Sequence, residues 1–272
     1  MTGDKKILLL QPYLMANAKD YESVIPNERE ISNFYEFSVP EGFGTQFQAV
    51  PDGSTDILFA VGKEDVRTYI GGTVLKVKNW EFEEGRTYFG VRFQPGKGIL
   101  PKGVTISDVV NADLEIDSKE FGNNLSERIA EGKNVRERAD IFLKYFLQEE
   151  EKCGGVDTAQ TIENYICKRI YETNGNITIK ELAAESGYSE CYLRRVFEKI
   201  HGISPKVFEK FVRFQNMLNR LHKDTGQVRM EELAMDCGYY DQSHMMKDFR
   251  TFTGITPEVY RKIMIEKKGE GI

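Results

Sequence analysis

Two stretches of the chain carry polar and basic side chains at spacings that would gather them on one face of a helix. At about 100° per residue, Leu193, Val196 and Phe197 would share the buried side of the first helix. Its opposite side would carry Cys191, Arg194, Arg195 and Glu198. The second helix would bury Met245, Phe249 and Phe252. Its opposite side would carry Ser243, Met246, Lys247 and Arg250, flanked near the helix start by Gln242 and His244.

These side chains have the chemistry of base recognition in duplex DNA. Arginine and lysine match the acceptors of guanine and glutamine matches adenine, at about 1–3 kcal/mol for a good bidentate contact. Charged residues also occur on any solvated helix face. The residue types alone therefore do not exclude that these side chains are ordinary surface residues without a DNA-binding role. Cys191 is equally a small filler, and His244 either bonds a phosphate or caps its helix locally. His201 and His222 are expected to be exposed scaffold residues.

An internal repeat supplies the elements that would position the two faces. One copy contains Leu182-Ala183, Gly187-Tyr188 and Gly202-Ile203-Ser204-Pro205, and the other contains Leu233-Ala234, Gly238-Tyr239 and Gly254-Ile255-Thr256-Pro257. Each copy predicts a short helix, a turn with glycine and a second helix, which is the helix-turn-helix pattern. The units are predicted at residues 178–201 and 229–253, joined by a helix at 205–222. The duplication favours DNA binding over a structural bundle.

Local cap signals support these helix boundaries. Thr178 followed by Glu181 predicts a capping box, and Gly187 suits a turn that needs positive φ. Ser189 and Asp241 are predicted N-caps of the two candidate recognition helices. The first unit therefore begins with a capping threonine, whereas the second has Arg229 at that position.

Composition indicates an ordinary soluble protein with room for two domains. The 272 residues are 40% hydrophobic and 29% charged, and no apolar run reaches membrane-spanning length, so we expect a cytoplasmic protein. Residues 1–155 hold 19 Lys and Arg against 26 Asp and Glu, and residues 156–272 hold 18 against 17. The four cysteines lie far apart without a C-x-x-C pair, which supports neither a zinc site nor a disulfide framework.

The fold class predicted is α+β, with a change of periodicity along the chain. Residues from about 7 to 117 predict a β-rich barrel or sandwich, through the strands 34–39, 47–50, 56–61, 74–77 and 88–93. Residues from about 118 to 152 predict helices, and Gly154-Gly155 marks the domain boundary. We therefore expect a regulatory, effector or dimerisation domain at 1–155 and an all-α DNA-binding domain at 156–272.

The N-terminal domain contains a candidate ligand site. Its proposed members are Tyr35, Phe37, Trp80, Tyr88 and Arg92. These aromatics either line an apolar pocket or form the barrel core. Arg92 either binds an anionic ligand or pairs with Asp52 or Asp56. Residues 1–155 contain no histidine, so we expect neither a metal nor another cofactor there.

One more stripe has two interpretations. It consists of Val135, Ala139, Phe142 and Phe146, at the spacing of an amphipathic helix. Such a face either forms a dimer interface or packs on the barrel of its own chain, and the spacing does not distinguish these two roles.

The C-terminal residues from about 158 to 268 resemble the DNA-binding domain of the AraC/XylS family of bacterial transcription regulators. The resemblance rests on the repeat above and on Ser243-His244, Phe249-Arg250 and Glu258-Val259-Tyr260-Arg261. It implies two helix-turn-helix units entering successive major grooves, with base contacts from Cys191, Arg194, Arg195, Gln242, Ser243 and Lys247. Met245, Phe208 and Asp248 depart from the usual pattern. The N-terminal domain resembles, less specifically, a domain that precedes this reader in part of the family.

The sequence thus predicts a non-enzymatic, sequence-specific transcription regulator modulated by its N-terminal domain. No Gly-rich phosphate loop, G-x-S-x-G or H-E-x-x-H motif occurs. The partner expected is an operator in double-stranded DNA; RNA polymerase, a small-molecule effector and a second copy of the chain are left open. The alternatives are an enzymatic or ligand-binding β domain fused to a DNA reader, and a protein-interaction module.

Overall fold

A computed structural model describes residues 9–42, 44–122, 124–152, 158–224 and 228–269. The strands are β1 Lys19–Val24, β2 Ile31–Val39, β3 Gln46–Ala49, β4 Asp56–Val61, β5 Val66–Gly71, β6 Lys78–Glu81, β7 Arg86–Phe93 and β8 Asp113–Ile116. The helices are α1 Pro12–Asn17, α2 Leu125–Glu131, α3 Val135–Lys152, α4 Thr158–Glu172, α5 Ile179–Ser186, α6 Glu190–His201, α7 Pro205–Lys223, α8 Met230–Asp236, α9 Gln242–Thr253 and α10 Pro257–Gly269.

The N-terminal half is built around an antiparallel sheet with strand order β1-β2-β7-β4-β5-β8. Alternation along the strands sends side chains to opposite faces. Phe34, Phe59 and Phe89 point to one face, which α2 and α3 cover. Tyr35 and Tyr88 point to the other, which the small β3–β6 sheet covers. Both faces of the central strands are therefore buried, as in a sandwich, and the predicted α+β class is confirmed.

The ambiguous stripe of α3 packs on its own domain. Val135, Ala139, Phe142 and Phe146 are all buried in the cluster between α3 and the sheet. Phe142 meets Phe34 edge-on, with ring centroids 6.1 Å apart. The apolar face of α3 is thus buried against the sheet of its own N-terminal half.

Several strand predictions need correction. Residues 74–77 do not form a strand, because the Leu75 amide donates to the side chain of Asn111 at 2.8 Å instead of to a neighbouring strand. The sequence does not predict β1, β5, β6 or β8, and residues 12–17 form a helix inside a region predicted as mainly strand. Most residues of β1 and every second residue of β8 are exposed. Neither strand therefore buries enough side chains to give a clear hydrophobic alternation in the sequence.

Several helices of the C-terminal half begin at capping residues. Thr178 and Glu181 form the capping box, and Ser189, Ser204 and Asp241 accept main-chain N–H groups at the starts of α6, α7 and α9. α7 packs against helices of both repeat units. Gly154-Gly155, proposed as the domain boundary, lies outside the described residues, as do residues 7 and 8 and Cys153.

The two halves of the chain are in direct contact through α7. The side chain of Gln215 accepts a hydrogen bond from the Leu10 amide at 2.9 Å and donates one to the Pro51 carbonyl at 2.9 Å. The Tyr13 hydroxyl donates to the Thr253 carbonyl at 2.9 Å, at the end of α9. Within the residues described, no helix has both the length and the apolar character needed to cross a membrane.

Candidate nucleic-acid interface

The first candidate face lies on α6. Leu193, Val196 and Phe197 are buried, and this anchors the helix so that its other side stays in solvent. Cys191, Arg194 and Arg195 are exposed there. The expected division of the helix into buried and wet faces is therefore present.

Charge on this face is more balanced than predicted. Glu190 and Glu198 border the same shallow depression as Cys191, Arg194 and Arg195. Arg194 Nη2 lies 3.4 Å from Glu190 Oε2, one turn earlier, and both side chains are about half exposed. An exposed pair of this kind is worth little and exchanges readily for a phosphate.

Arg195 is oriented by an aromatic neighbour. Its guanidinium carbon lies 5.4 Å from the ring centroid of Tyr192. Tyr192 in turn packs against Tyr188, with centroids 5.3 Å apart. Stacking of this type restrains a long side chain and keeps its donors free.

The second candidate face lies on α9, where Met245, Phe249 and Phe252 are buried. Ser243, His244, Lys247 and Arg250 are exposed, and Gln242 is half-buried. Within the described part of the chain, Lys247, Arg250 and Arg195 make no ion pair. Their charges are consequently available to phosphates or base edges.

His244 has local partners through both its main chain and its imidazole. Its amide donates to the Asp241 carboxylate at 2.7 Å, which caps α9. Its Nε2 lies 3.8 Å from Asp248, and its ring meets Tyr239 edge-on at 5.4 Å. The imidazole remains 42% exposed, so a phosphate can still approach it.

Asp248 does not oppose the basic residues of α9. It is buried and turned towards α7, where Lys210 Nζ lies 3.6 Å from its carboxylate. The acid beside Lys247 in the sequence is therefore buried beneath the exposed face, where it contacts Lys210 and His244.

An exposed tyrosine beside the second face is not singled out by residue spacing. Tyr240 is 91% exposed and stands immediately before the Asp241 cap of α9. The two repeat copies differ in sequence at this point, and the difference indicates an additional residue in the second turn. Gly187 precedes its cap by two residues and Gly238 precedes its cap by three, so the second turn holds one additional residue.

The proposed ligand residues of the N-terminal domain fall into two groups. Phe37 and Tyr88 are stacked in the aromatic cluster, with centroids 5.3 Å apart. Tyr35, Trp80 and Arg92 border a narrow crevice together with Gln11, Phe47, Asp56 and Phe82, among others. The crevice has a volume of ≈ 20 Å³, which is room for about one water molecule.

Arg92 has the pairing that the sequence offered as its structural role. Its Nη2 lies 2.6 Å from Asp56 and its Nη1 3.2 Å from Asp52, both buried. Burial opposes the charge of Arg92, but the two carboxylates raise its pKa well above the ordinary value. Burial also raises the pKa of Asp52. The guanidinium is thus already neutralised by protein acids.

The buried position of His201 corrects another expectation. Its side chain lies between helices at the end of α6, stacked on Phe197 with centroids 4.0 Å apart, and is not an exposed scaffold residue. Spacing along α6 does not reveal this, because the burial comes from α4 and from the loop that contains Gly96. His222, the other histidine expected to be exposed, is half-buried.

A family model described as a helix-turn-helix domain matches residues 182–263, from α5 into α10. The C-terminal part of this chain is an AraC-type helix-turn-helix domain. Both candidate faces, on α6 and on α9, lie inside this AraC-type domain.

Two curated transcription regulators resemble about a third of the chain. The uncharacterized HTH-type transcriptional regulator YisR of Bacillus subtilis strain 168 is 31% identical over 90 residues, which are 33% of this chain and 31% of YisR. The HTH-type transcriptional activator AarP of Providencia stuartii is 29% identical over 91 residues, covering 32% of this chain and 66% of AarP. The chain thus spans less than two thirds of each of these proteins.

Solved structures of ToxT from Vibrio cholerae align with most of the chain. ToxT from Vibrio cholerae O395 covers 90% of this chain and 98% of its own length, at 10% identity and a TM-score of 0.43.

Proposed function

We propose that this protein is a sequence-specific transcription regulator that reads two successive major grooves of duplex DNA with α6 and α9. The observation that carries the proposal is the pair of exposed polar faces, one in each repeat unit, on helices anchored to the same linker helix α7. Two linked reading helices bind neighbouring segments without a dimer, because the second engages at a high effective concentration.

The residues of the two faces take different parts in this proposal. Arg195, Lys247 and Arg250 supply unpaired positive charge for phosphates and guanine edges. Cys191, Gln242 and Ser243 lie nearer the helix starts, where base contacts are made in this docking mode. Arg194 and His244 exchange weak protein contacts for DNA contacts on binding.

The N-terminal domain is proposed to modulate DNA binding without catalysis. Gln215 on α7 holds the main chain at Leu10 and Pro51, and Tyr13 holds the end of α9. A change in the N-terminal domain therefore reaches the helix that fixes the two readers. A small effector would enter beside Tyr35, Trp80 and Arg92, where the β3–β6 sheet must move to admit it. RNA polymerase and a second copy of the chain are further partners for this role in the cytoplasm.

The test is DNA binding at two salt concentrations. The preferred site is selected from a random duplex pool, and affinity is then measured by fluorescence anisotropy. Removing Arg195 and Lys247 together, as Arg195→Ala with Lys247→Ala, should weaken specific binding by at least about thirtyfold. It should also reduce the salt slope by up to about two, since each lost phosphate contact removes about one.

Lys63→Ala is the matched control, because Lys63 is exposed on the turn between β4 and β5 in the N-terminal half and belongs to neither face. It should leave affinity and slope unchanged. Unaltered specific binding by the double variant would overturn the assignment of the two faces. A protein-interaction module would show no steep salt dependence with duplex DNA.

A further inference from the structure

Three side chains with metal-binding atoms meet where α4 packs on the end of α6. Glu163 and Cys167 lie one turn apart on α4, and His201 is the last residue of α6. Glu163 Oε1 is 2.9 Å from His201 Nε2 and 3.0 Å from Cys167 Sγ, and Cys167 Sγ is 3.6 Å from His201 Nε2. All three are at least nine-tenths buried.

Packing alone does not account for this cluster. A carboxylate, a thiol and an imidazole carry a desolvation cost that apolar side chains of similar volume would avoid. His201 Nδ1 is buried and finds no hydrogen-bond partner among the described residues. The only full charge facing Glu163 in the described structure is Lys97, whose ammonium lies 2.9 Å from Glu163 Oε2.

The donor set selects a class of ion. Thiolate, imidazole and carboxylate together suit zinc-like divalent transition metals, whereas magnesium and calcium prefer oxygen ligands alone. For tetrahedral zinc, bond lengths of about 2.0–2.3 Å place neighbouring donor atoms about 3.4–3.6 Å apart. The distance from Cys167 Sγ to His201 Nε2 already has this value. The two distances to Glu163 Oε1 fall short by about half an ångström, which a small rotation of the carboxylate supplies.

We propose that Glu163, Cys167 and His201 form a binding site for a zinc-like divalent transition-metal ion. The ion binds the thiolate of Cys167, whose proton passes to solvent, Nε2 of His201 and a carboxylate oxygen of Glu163. A water molecule completes a four-coordinate shell, as in sites with three protein ligands. This site lies outside both DNA-reading faces and is independent of the function proposed above.

Lys97 gives the site a link between the two halves of the chain. It comes from the loop after β7 in the N-terminal half and also bonds Asn164 Oδ1 at 2.8 Å. Gly96 beside it lies so close to His201 that an added Cβ would be 2.7 Å from the ring. The ammonium contacts Glu163 Oε2, whereas Cys167 and His201 contact Oε1, so an ion bound at Oε1 repels Lys97 and weakens the attachment of this loop to α4 at the end of α6.

Cobalt(II) is the probe, because a thiolate–cobalt bond gives a near-ultraviolet charge-transfer band and tetrahedral cobalt absorbs strongly in the visible. Chelator-treated full-length protein, kept reduced with a phosphine, is titrated with Co²⁺. We expect both bands to saturate at one equivalent and to disappear when Zn²⁺ is added. Cys167→Ser should lose the charge-transfer band, and His201→Gln should weaken binding at least tenfold.

Cys153→Ser, Cys191→Ser and Cys237→Ser are the matched controls and should keep the band. Circular dichroism and urea midpoints confirm that each variant is folded. Lys97→Gln tests the site with all three metal ligands in place. Removing the neighbouring positive charge should tighten Co²⁺ binding by about tenfold or more. Absence of a charge-transfer band in the wild-type protein, its persistence in Cys167→Ser, or unchanged affinity in Lys97→Gln would overturn the proposal.

Discussion

The side-chain amide of Gln215 donates a 2.9 Å hydrogen bond to the main-chain carbonyl of Pro51, 164 residues earlier in the chain. The same side chain accepts the amide of Leu10 at 2.9 Å. Its side-chain amide also donates to the Leu10 carbonyl at 3.3 Å, so a single buried glutamine on α7 satisfies three main-chain groups of the N-terminal half. Because α7 also packs against both repeat units, this contact joins the sheet domain to the two helix-turn-helix units.

Replacement of this glutamine should weaken the contact between the halves. Gln215→Leu keeps the volume but leaves buried main-chain groups at Leu10 and Pro51 without partners, which costs about 1–3 kcal/mol. Urea unfolding measures the loss, and hydrogen exchange at Leu10 should accelerate. Asn216→Ala is the control. Asn216 is the next residue of α7, and among the described residues its side chain bonds only the exposed Asn174, so this variant should change stability by less than about 0.5 kcal/mol. Equal effects of the two variants would contradict the importance of the Gln215 contacts.

Cys191 offers a chemical test of the α6 face. Cys191 is exposed, whereas Cys167 and Cys237 are buried. Burial also raises the pKa of Cys237 to about 11, which keeps it a thiol. A bulky maleimide should therefore modify Cys191 and block DNA binding sterically, with affinity falling at least tenfold in anisotropy titrations. Cys191→Ser protein treated in the same way should bind DNA normally, and inhibition of this variant would show that another thiol is responsible.

Two glycines with positive φ should differ in their tolerance of alanine. Gly187 has φ +76° and nothing within 4 Å of an added Cβ, so Gly187→Ala should cost only the backbone strain of about 1–2 kcal/mol. Gly175 has φ +78°, but its Cβ would lie 2.4 Å from the Glu209 carbonyl oxygen of α7. Gly175→Ala should therefore cost about 2–4 kcal/mol in urea unfolding. Equal costs would mean that the approach of this turn to α7 is not tight.

Glu209 should make stability depend on pH. Burial raises its pKa from 4.5 to about 7, against the opposing charges of Arg213 and Lys206, while Glu181 adds to the rise. The folded state therefore binds this proton more tightly than the unfolded state. The contribution to stability is complete below about pH 4.5 and is lost as pH rises through about 7, by up to about 3 kcal/mol.

Urea unfolding of the wild type and of Glu209→Gln at several pH values measures this contribution. Glu209→Gln should remove this pH dependence. Its free energy of unfolding should therefore increase relative to that of the wild type between pH 5 and about 8. A constant difference between the two proteins across that range would exclude Glu209 as the titrating group.

The helical half was predictable because its signals are local. Thr178 and Glu181, Ser189 and Asp241 act on amides two or three residues away, so the caps are visible in the sequence itself. The sheet was harder to predict. Residues 74–77 have the composition of a strand, but their main chain bonds Asn111. The exposed edges β1 and β8 bury too few side chains to give a clear alternation.

By itself, the sequence determined the two helix-turn-helix units and which side of each recognition helix faces solvent, since helix periodicity and capping depend on neighbours within a turn. Tertiary structure alone decided which distant groups meet. Arg92 finds Asp56 across the sheet, Gln215 reaches Leu10 over 205 residues, and His201 meets Glu163 from another helix. These pairings follow from how the layers pack to bury apolar surface, and no spacing along the chain encodes them.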